Sequence, residues 1–536
     1  MPFWAGESIA GPNARKITMM KKALIVLGLT LLPALALAQA GATLEQAIIP
    51  PSNDNQAADK QKLDAAIGDR AYAVPGGTIA RSARQRATDV IYAVDFGVTC
   101  DGLTGADQTA AIMAATNAAV ALGGRDVVFP PGTCRIRSYM VLPSKTRWVS
   151  RSGTVFYLDP AMTTGYSVAN YTRAIVFDAV SEILIDGLTF QGAGIGSFPC
   201  PAVCTRAVNI VFRNTNHVTI RNTVIQDFGW ATTADIPAAG IQVFGGHNYL
   251  IDNVTIQRTS GDNLAFSNGV YNVEVRGSTF AASTGDSALV CTIGGYNHNY
   301  HGNRISGTEE NVAPVIVMDR CWNWAIANNQ VYGGNVGQGI RVARYEDTGE
   351  TNHDFTISGN VISRSAQAIS VETAATKQGS QATAGGGRFS ITGNTIINPT
   401  ATGIVVADSE VGTITGNVIS RAPENGILIA AYTSGVNTGT LAVSGNTIAS
   451  DGGTYGIRQL SAGGKLTPIA LGGNVVTGAT IPYSLADGNS PQVIPYGTPP
   501  SSSVRCAQSQ IFSMDASYLY LCAGTNALKR VPLSSF

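Results

Sequence analysis

Short apolar alternations, each broken by a Gly-Asn pair or a close variant, run through most of the chain. The pair opens GNRI at 302, NNQV at 328, GNVI at 359, GNTI at 393, GNVI at 416, GNTI at 445 and GNVV at 473, with variants RNTVI at 221 and DNVTI at 252. The asparagines Asn222, Asn253, Asn303, Asn329, Asn360, Asn394, Asn417, Asn446 and Asn474 are separated by 31, 50, 26, 31, 34, 23, 29 and 28 residues. The interval of 50 hides one unit, in which Ser278 of GSTF stands at the Asn place. Such a period predicts a solenoid, each unit being one coil. Apolar residues alternate with period two, so the elements are strands rather than helices. The Asn is the turn residue, because Gly and Asn tolerate a left-handed backbone best.

Each unit carries a second strand, among them AGIQVFG at 239, DNLAFSN at 262, DSALVCT at 286, PVIVMDR at 314, QGIRVAR at 338, QAISVET at 367 and TGIVVAD at 402. Aligned on the first inward apolar residue, the anchors are Ile241, Leu264, Ala288, Ile316, Ile340, Ile369 and Ile404. Stacking these strands in parallel predicts rungs ~4.8 Å apart. Asp262 and Asp286 then share one column, two residues before the anchor. The outward positions gather Asp319, Arg341 and Glu372 on three consecutive coils.

Upstream of the repeats the pattern changes. A strand ends at Val94, and a Gly/Asp/Thr loop leads to Asp107, the expected N-cap of an Ala-rich helix over 108–121. Gly123-Gly124 ends the helix, and DVVFP at 126 is a buried strand. Residues 20–40, MKKALIVLGLTLLPALALAQA, have the form of a secretory signal cleaved after Ala38 or Ala40. Its apolar stretch falls short of the ~20 residues that span a bilayer. Residues 1–40 are therefore an upstream extension with a signal peptide, and 41–89 a linker with one short helix near 56–68. The coils fill 90–489. A small β module with Cys506 and Cys522 follows at 490–536.

Composition narrows the picture. Charged residues make up 13%, glycines number 60 and the formal net charge is zero. That suits turn-rich β structure and gives no electrostatic reason for nucleic acid or an anionic membrane as partner. All eight cysteines follow the signal, and export favours disulfides. They fall into neighbouring pairs: Cys100 with Cys134, Cys200 with Cys204, Cys291 with Cys321 and Cys506 with Cys522.

The stretch DFGVTCDGLTGADQTAAI…GGRDVVFPPGTCRI resembles the opening of the pectate-lyase superfamily branch that includes rhamnogalacturonases, polygalacturonases and tailspike-like depolymerases. The resemblance implies an all-β, single-stranded right-handed parallel β-helix, with the N-terminal helix as its cap. It also implies a secreted or periplasmic polysaccharide-degrading enzyme. SGDNLAF is similar to the polygalacturonase motif Gly-Asp-Asp-Cys-Ile-Ala-Ile, with Asp262 on the second Asp, and GIRVAR resembles Arg-Ile-Lys, with Arg341 on its Arg. Gly261 and Ala239 replace two further acids of that family, and Asp286 stands where its His coil belongs.

Candidate chemistry follows from these columns. Two carboxylates on neighbouring rungs either repel, raising one pKa to make an acid, or share a calcium ion. Asp319 and Glu372, two rungs apart, approach the spacing that admits a water in inverting glycoside hydrolysis. Arg341 between them suits a uronate carboxylate. The expected catalytic set is Asp262, Asp286, Asp319, Arg341 and Glu372. Arg320, Arg344, Tyr345, His298, His301 and Trp322 are expected to bind substrate, with the two histidines in a turn. A hydrolase needs no cofactor; calcium belongs to the lyase alternative, and an epimerase or a non-catalytic adhesive solenoid are the others. The partner is a polysaccharide, and the chain is a monomer or homotrimer.

Overall fold

The computed structural model describes residues 71–72, 81–82, 90–160, 166–168, 171–194, 206–228, 239–259, 261–283, 287–292, 294–307, 313–318, 320–334, 337–343, 352–371, 387–409, 411–432, 439–461, 466–467, 469–485, 511–514, 517–524 and 527–532. Two compact units divide the chain at 87/88. In the first, Ala71–Tyr72 pairs antiparallel with Arg81–Ser82. The expected signal peptide and the helix near 56–68 lie outside the described residues.

The second unit is built from coils of three strands. A representative coil runs Leu264–Ser267, Tyr271–Arg276 and Thr279–Ser283, and each strand pairs in parallel with its counterpart one coil later. Three parallel sheets result, here called first, second and third in that order. Apolar rows line the interior. In the first sheet the row is Ile210, Ile241, Leu264, Leu289, Val315, Ile340, Ile369, Ile404 and Ile427. The second holds Ile220, Ile251, Val275, Tyr300, Ile326 and Ile357, and the third Phe156, Phe190, Ile225, Ile256, Phe280 and Ile305. All are buried, each aliphatic side chain contributing roughly 1.5–3 kcal/mol.

The turn between second and third sheets explains the repeated asparagines. The left-handed residue is the first of the pair, as at Gly302 (φ 66°), Asn328 (φ 55°) and Gly359 (φ 64°). The second residue points inward and is buried. Asn360 donates from Nδ2 to Ile326 O (2.8 Å) and to Asn394 Oδ1 (2.9 Å), while its own N–H reaches Asn394 Oδ1 at 3.0 Å. The same bonds link Asn303, Asn329, Asn360, Asn394, Asn417, Asn446 and Asn474. Asn222 and Asn253 differ from the expected alignment: they hold the left-handed place at φ 52° and 53°, and Thr223 and Val254 take the buried one. Ser278 continues the ladder as expected, accepting from Val254 N at 3.0 Å.

The helix α1 spans Thr109–Ala121. Asp107 Oδ1 accepts the N–H of Thr109 at 3.0 Å, although Gln108 is the formal N-cap. The buried face of α1, Ile112, Ala115, Thr116 and Ala119, closes the start of the core, where Trp148 Nε1 donates to Thr116 Oγ1 at 2.9 Å. The strand before it is shorter than expected, Val90–Tyr92, because Ala93–Phe96 forms a 3₁₀ turn. At the other end of the chain, Ile511–Met514, Tyr518–Gly524 and Ala527–Pro532 make an antiparallel three-stranded sheet.

Candidate functional site

Register decides which expected residues can meet. The anchors of two coils are Leu289 and Val315, not Ala288 and Ile316, a shift of one residue. A one-residue shift moves every side chain to the opposite face. Asp262 meets Ser287 on the next coil, its Oδ1 accepting the Ser287 N–H at 3.1 Å. Val315 and Met318 pair with Ile340 and Ala343, so this coil also departs by one residue from the expected register. Asp286, Asp319, Glu372, Arg344 and Tyr345 themselves lie outside the described residues, as do Cys200, Cys204 and Cys506.

Asp262 and Arg341 are both half-buried but three rungs apart, roughly 14 Å along the stack. They do not form one constellation. The outward row through Arg341 reads Ala265, Val290, Ile316, Arg341, Ser370 and Val405, and every member except Arg341 is buried. The expected solvated wall is instead mostly apolar and covered, with Arg341 as the cation within it.

The histidines differ from expectation in element and in role. Both belong to the strand Tyr296–His301 rather than to a turn. His298 points inward and is 2% exposed. Its Nε2 donates to Val270 O (2.9 Å), which leaves Nδ1 to accept from the Tyr300 hydroxyl (2.6 Å). Burial lowers its pKa to about 4 and raises that of Tyr300, so both are neutral core groups, and His298 cannot touch a substrate. His301 faces outward, with Nε2 3.2 Å from Glu274 Oε1.

Trp322 is half-buried in a column of parallel rings: His247, Tyr271, Tyr296, Trp322 and His353, with centroids 4.8, 4.6, 5.2 and 6.0 Å apart. The neighbouring rings occupy its faces, so it offers a sugar only its edge. Each ring is followed by a left-handed Asn or Asp: Asn248, Asn272, Asn297, Asn323 and Asp354. The sequence signal is a triplet of ring, Asn or Asp, and large inward residue, HNY at 247, YNV at 271, YNH at 296, WNW at 322 and HDF at 353. It is readable without a structure but is masked by the commoner Gly-Asn repeat.

Arg258, Arg364 and Arg421 are also left-handed, but Arg320 combines that backbone with a buried Nε. Two residues before the ring column, the preceding coils have Gly269 (φ 76°) and Gly294 (φ 81°); the third has Arg320 at φ 65°. A left-handed non-glycine residue costs roughly 1–2 kcal/mol. Its Nε is buried without a hydrogen-bond partner. The adjacent Cys321 forms the expected disulfide with Cys291, which ties this corner to the previous coil; Cys100–Cys134 also forms. Among the described residues no group of three or more His, Cys, Asp or Glu gathers as a calcium ion would require.

A family model described as a right handed beta helix region matches residues 208–383. The A-module of a mannuronan C-5 epimerase from Azotobacter vinelandii is 18% identical, with 76% of this chain and 100% of that one covered and a TM-score of 0.50. The N-terminal fragment of gene product 12 from bacteriophage phi29 is 14% identical, with 82% and 73% covered and a TM-score of 0.50. No curated protein matches the sequence. These likenesses agree with the three stacked parallel sheets and the apolar rows inside them: the chain folds as a right-handed parallel β-helix.

Proposed function

We propose that this β-helix is an exported protein that binds and depolymerises an acidic polysaccharide, gripping it at the corner where the first sheet turns into the second. Arg320 carries the reading. A strained, half-buried guanidinium with an unpartnered Nε, at a place where the coils before it have glycine, persists at a cost to stability. Strain of this kind collects at ligand sites. Its planar fork suits the carboxylate of a uronate. Arg341, on the next coil between the buried Ile316 and Ser370, would meet a second carboxylate with part of its solvent excluded. Asp262 ties coils and is not assigned chemistry. Asp286, Asp319 and Glu372 remain the proposed sources of acid and base, with hydrolysis ahead of lyase or epimerase chemistry.

Purified protein incubated with polygalacturonate, alginate and hyaluronan tests the proposal. New reducing ends are expected, with an unsaturated-uronate absorbance only for a lyase, and Arg341→Ala should remove at least about 99% of turnover. Retention on these polymers without any cleavage would instead make the chain a binding solenoid.

A further inference from the structure

The second sheet carries a surface that neither the Arg320 corner nor the acids explain. An open groove of about 470 Å³ runs over its outward side, across the coils of His217, Asn248, Asn272 and Asn297. That volume is within the ~300–1,000 Å³ usual for ligand sites. One wall is an exposed amide column. Asn272 Nδ2 donates to Asn248 Oδ1 and Asn297 Nδ2 to Asn272 Oδ1, both at 3.0 Å, and Asn248 Nδ2 meets His217 Nε2 at 3.1 Å. Each amide spends one N–H on its neighbour, so the second N–H is left for the groove. Leu250 contributes to the floor. Glu274 stands opposite, paired with Arg276 (3.0 Å), which it shares with Asp252 (3.1 Å), and close to His301 (3.2 Å).

We infer that this groove is a separate binding site for a hydroxyl-rich glycan lying parallel to the stacking direction, one that does not require a charged sugar. Three observations point to that class. The donors repeat once per coil, at the ~4.8 Å rung spacing, so they suit a polymer rather than a compact metabolite. The one carboxylate facing the groove is already paired, so a charged ligand gains little, whereas sugar hydroxyls can both give to and take from amides. The ring column beside the amides has its faces occupied, so recognition here rests on hydrogen bonds rather than stacking. The stacked rings hold the amides in line, which reduces the ordering cost of binding.

Native gels cast with polygalacturonate, alginate, dextran or xylan test the inference with the full chain. The wild type should be retarded by at least one neutral polymer, dextran or xylan. Leu250→Trp, which fills the groove from a half-exposed position, should weaken that retardation about tenfold. The combined Asn248→Gly, Asn272→Gly, Asn297→Gly variant should do the same, since glycine keeps the left-handed backbone and removes the amides. Circular dichroism and the unfolding midpoint of Leu250→Trp should match the wild type. Wild-type mobility unchanged by both neutral polymers overturns the inference, as does undiminished retardation of Leu250→Trp. Neither result touches the Arg320 corner, which is read separately from polygalacturonate turnover and from Arg320→Gly.

Discussion

The hydroxyl of Tyr300 lies 2.6 Å from Nδ1 of His298, inside the stack, with Val270 O closing the other side of the imidazole at 2.9 Å. All acceptor and donor positions of that ring are used by the neutral form. Protonation would need Nδ1 to carry a hydrogen toward an oxygen that already donates to it.

The acid sensitivity of the fold should therefore depend on His298. Its folded pKa of about 4 lies below the unfolded value of 6.5, so the unfolded chain binds the extra proton first. Stability from this group is complete above pH 6.5 and is lost as pH falls toward 4, by up to about 3 kcal/mol. Denaturant midpoints of wild type and His298→Gln between pH 4 and 7.5 check this. The difference between the two should change across that window; a constant difference would contradict the assignment.

Arg320→Gly should move stability and binding in opposite directions. Glycine relieves the left-handed strain, so the midpoint should rise by the equivalent of about 1 kcal/mol. Retention on the acidic polymer that the wild type prefers should fall about tenfold or more. If stability rises and binding is unchanged, Arg320 is an incidental occupant of a glycine place.

The buried amide column should be far less tolerant than the exposed turn before it. Asn417 accepts from the N–H and Nδ2 of Asn394, both at 2.9 Å, and donates to Ile391 O and Asn446 Oδ1. Asn417→Ala strands several buried partners, and a loss of about 3 kcal/mol or more is expected by chemical denaturation. Asn222→Gly, at a left-handed exposed place, should change stability by only a few tenths of that.

Removing the Cys291–Cys321 bridge should loosen the corner that carries Arg320. The bridge closes a loop of 30 residues, so Cys291→Ala with Cys321→Ala should cost about 3–4 kcal/mol by loop entropy. Reduction of the wild type should reproduce the loss. Retention on acidic polymers should weaken in parallel, because the turn next to Arg320 is no longer tied to the preceding coil.

The coil architecture was legible because one physical requirement repeats. A buried amide after a left-handed residue, followed by an inward Ile or Val, leaves the same mark at 303, 360 and 417. The Cys100–Cys134 and Cys291–Cys321 pairs were legible for a similar reason, since neighbouring coils bring each pair together. Registers were harder. DSALVCT offers Ala288 and Leu289 as equally apolar anchors, and PVIVMDR offers Val315 and Ile316. Only the ladder bonds distinguish them, and they select Leu289 and Val315. His298 was misplaced because NHN at 297 in a polar run reads as a turn, whereas period two in that strand sends it inward. Arg320 was visible as a cation, but its backbone strain and its buried Nε belong to three dimensions.

The inward amide column has a further consequence for how this protein can change length. Asn394 and Asn417 are separated by 23 residues, make equivalent bonds, and are followed by the paired strands Thr395–Ile397 and Val418–Ser420. Loops between the strands already vary the winding from 23 to 34 residues, but a whole winding excised between such points would rejoin like to like. Length is therefore a quantity that natural variation or design could adjust in steps, with the cross-section left as it is.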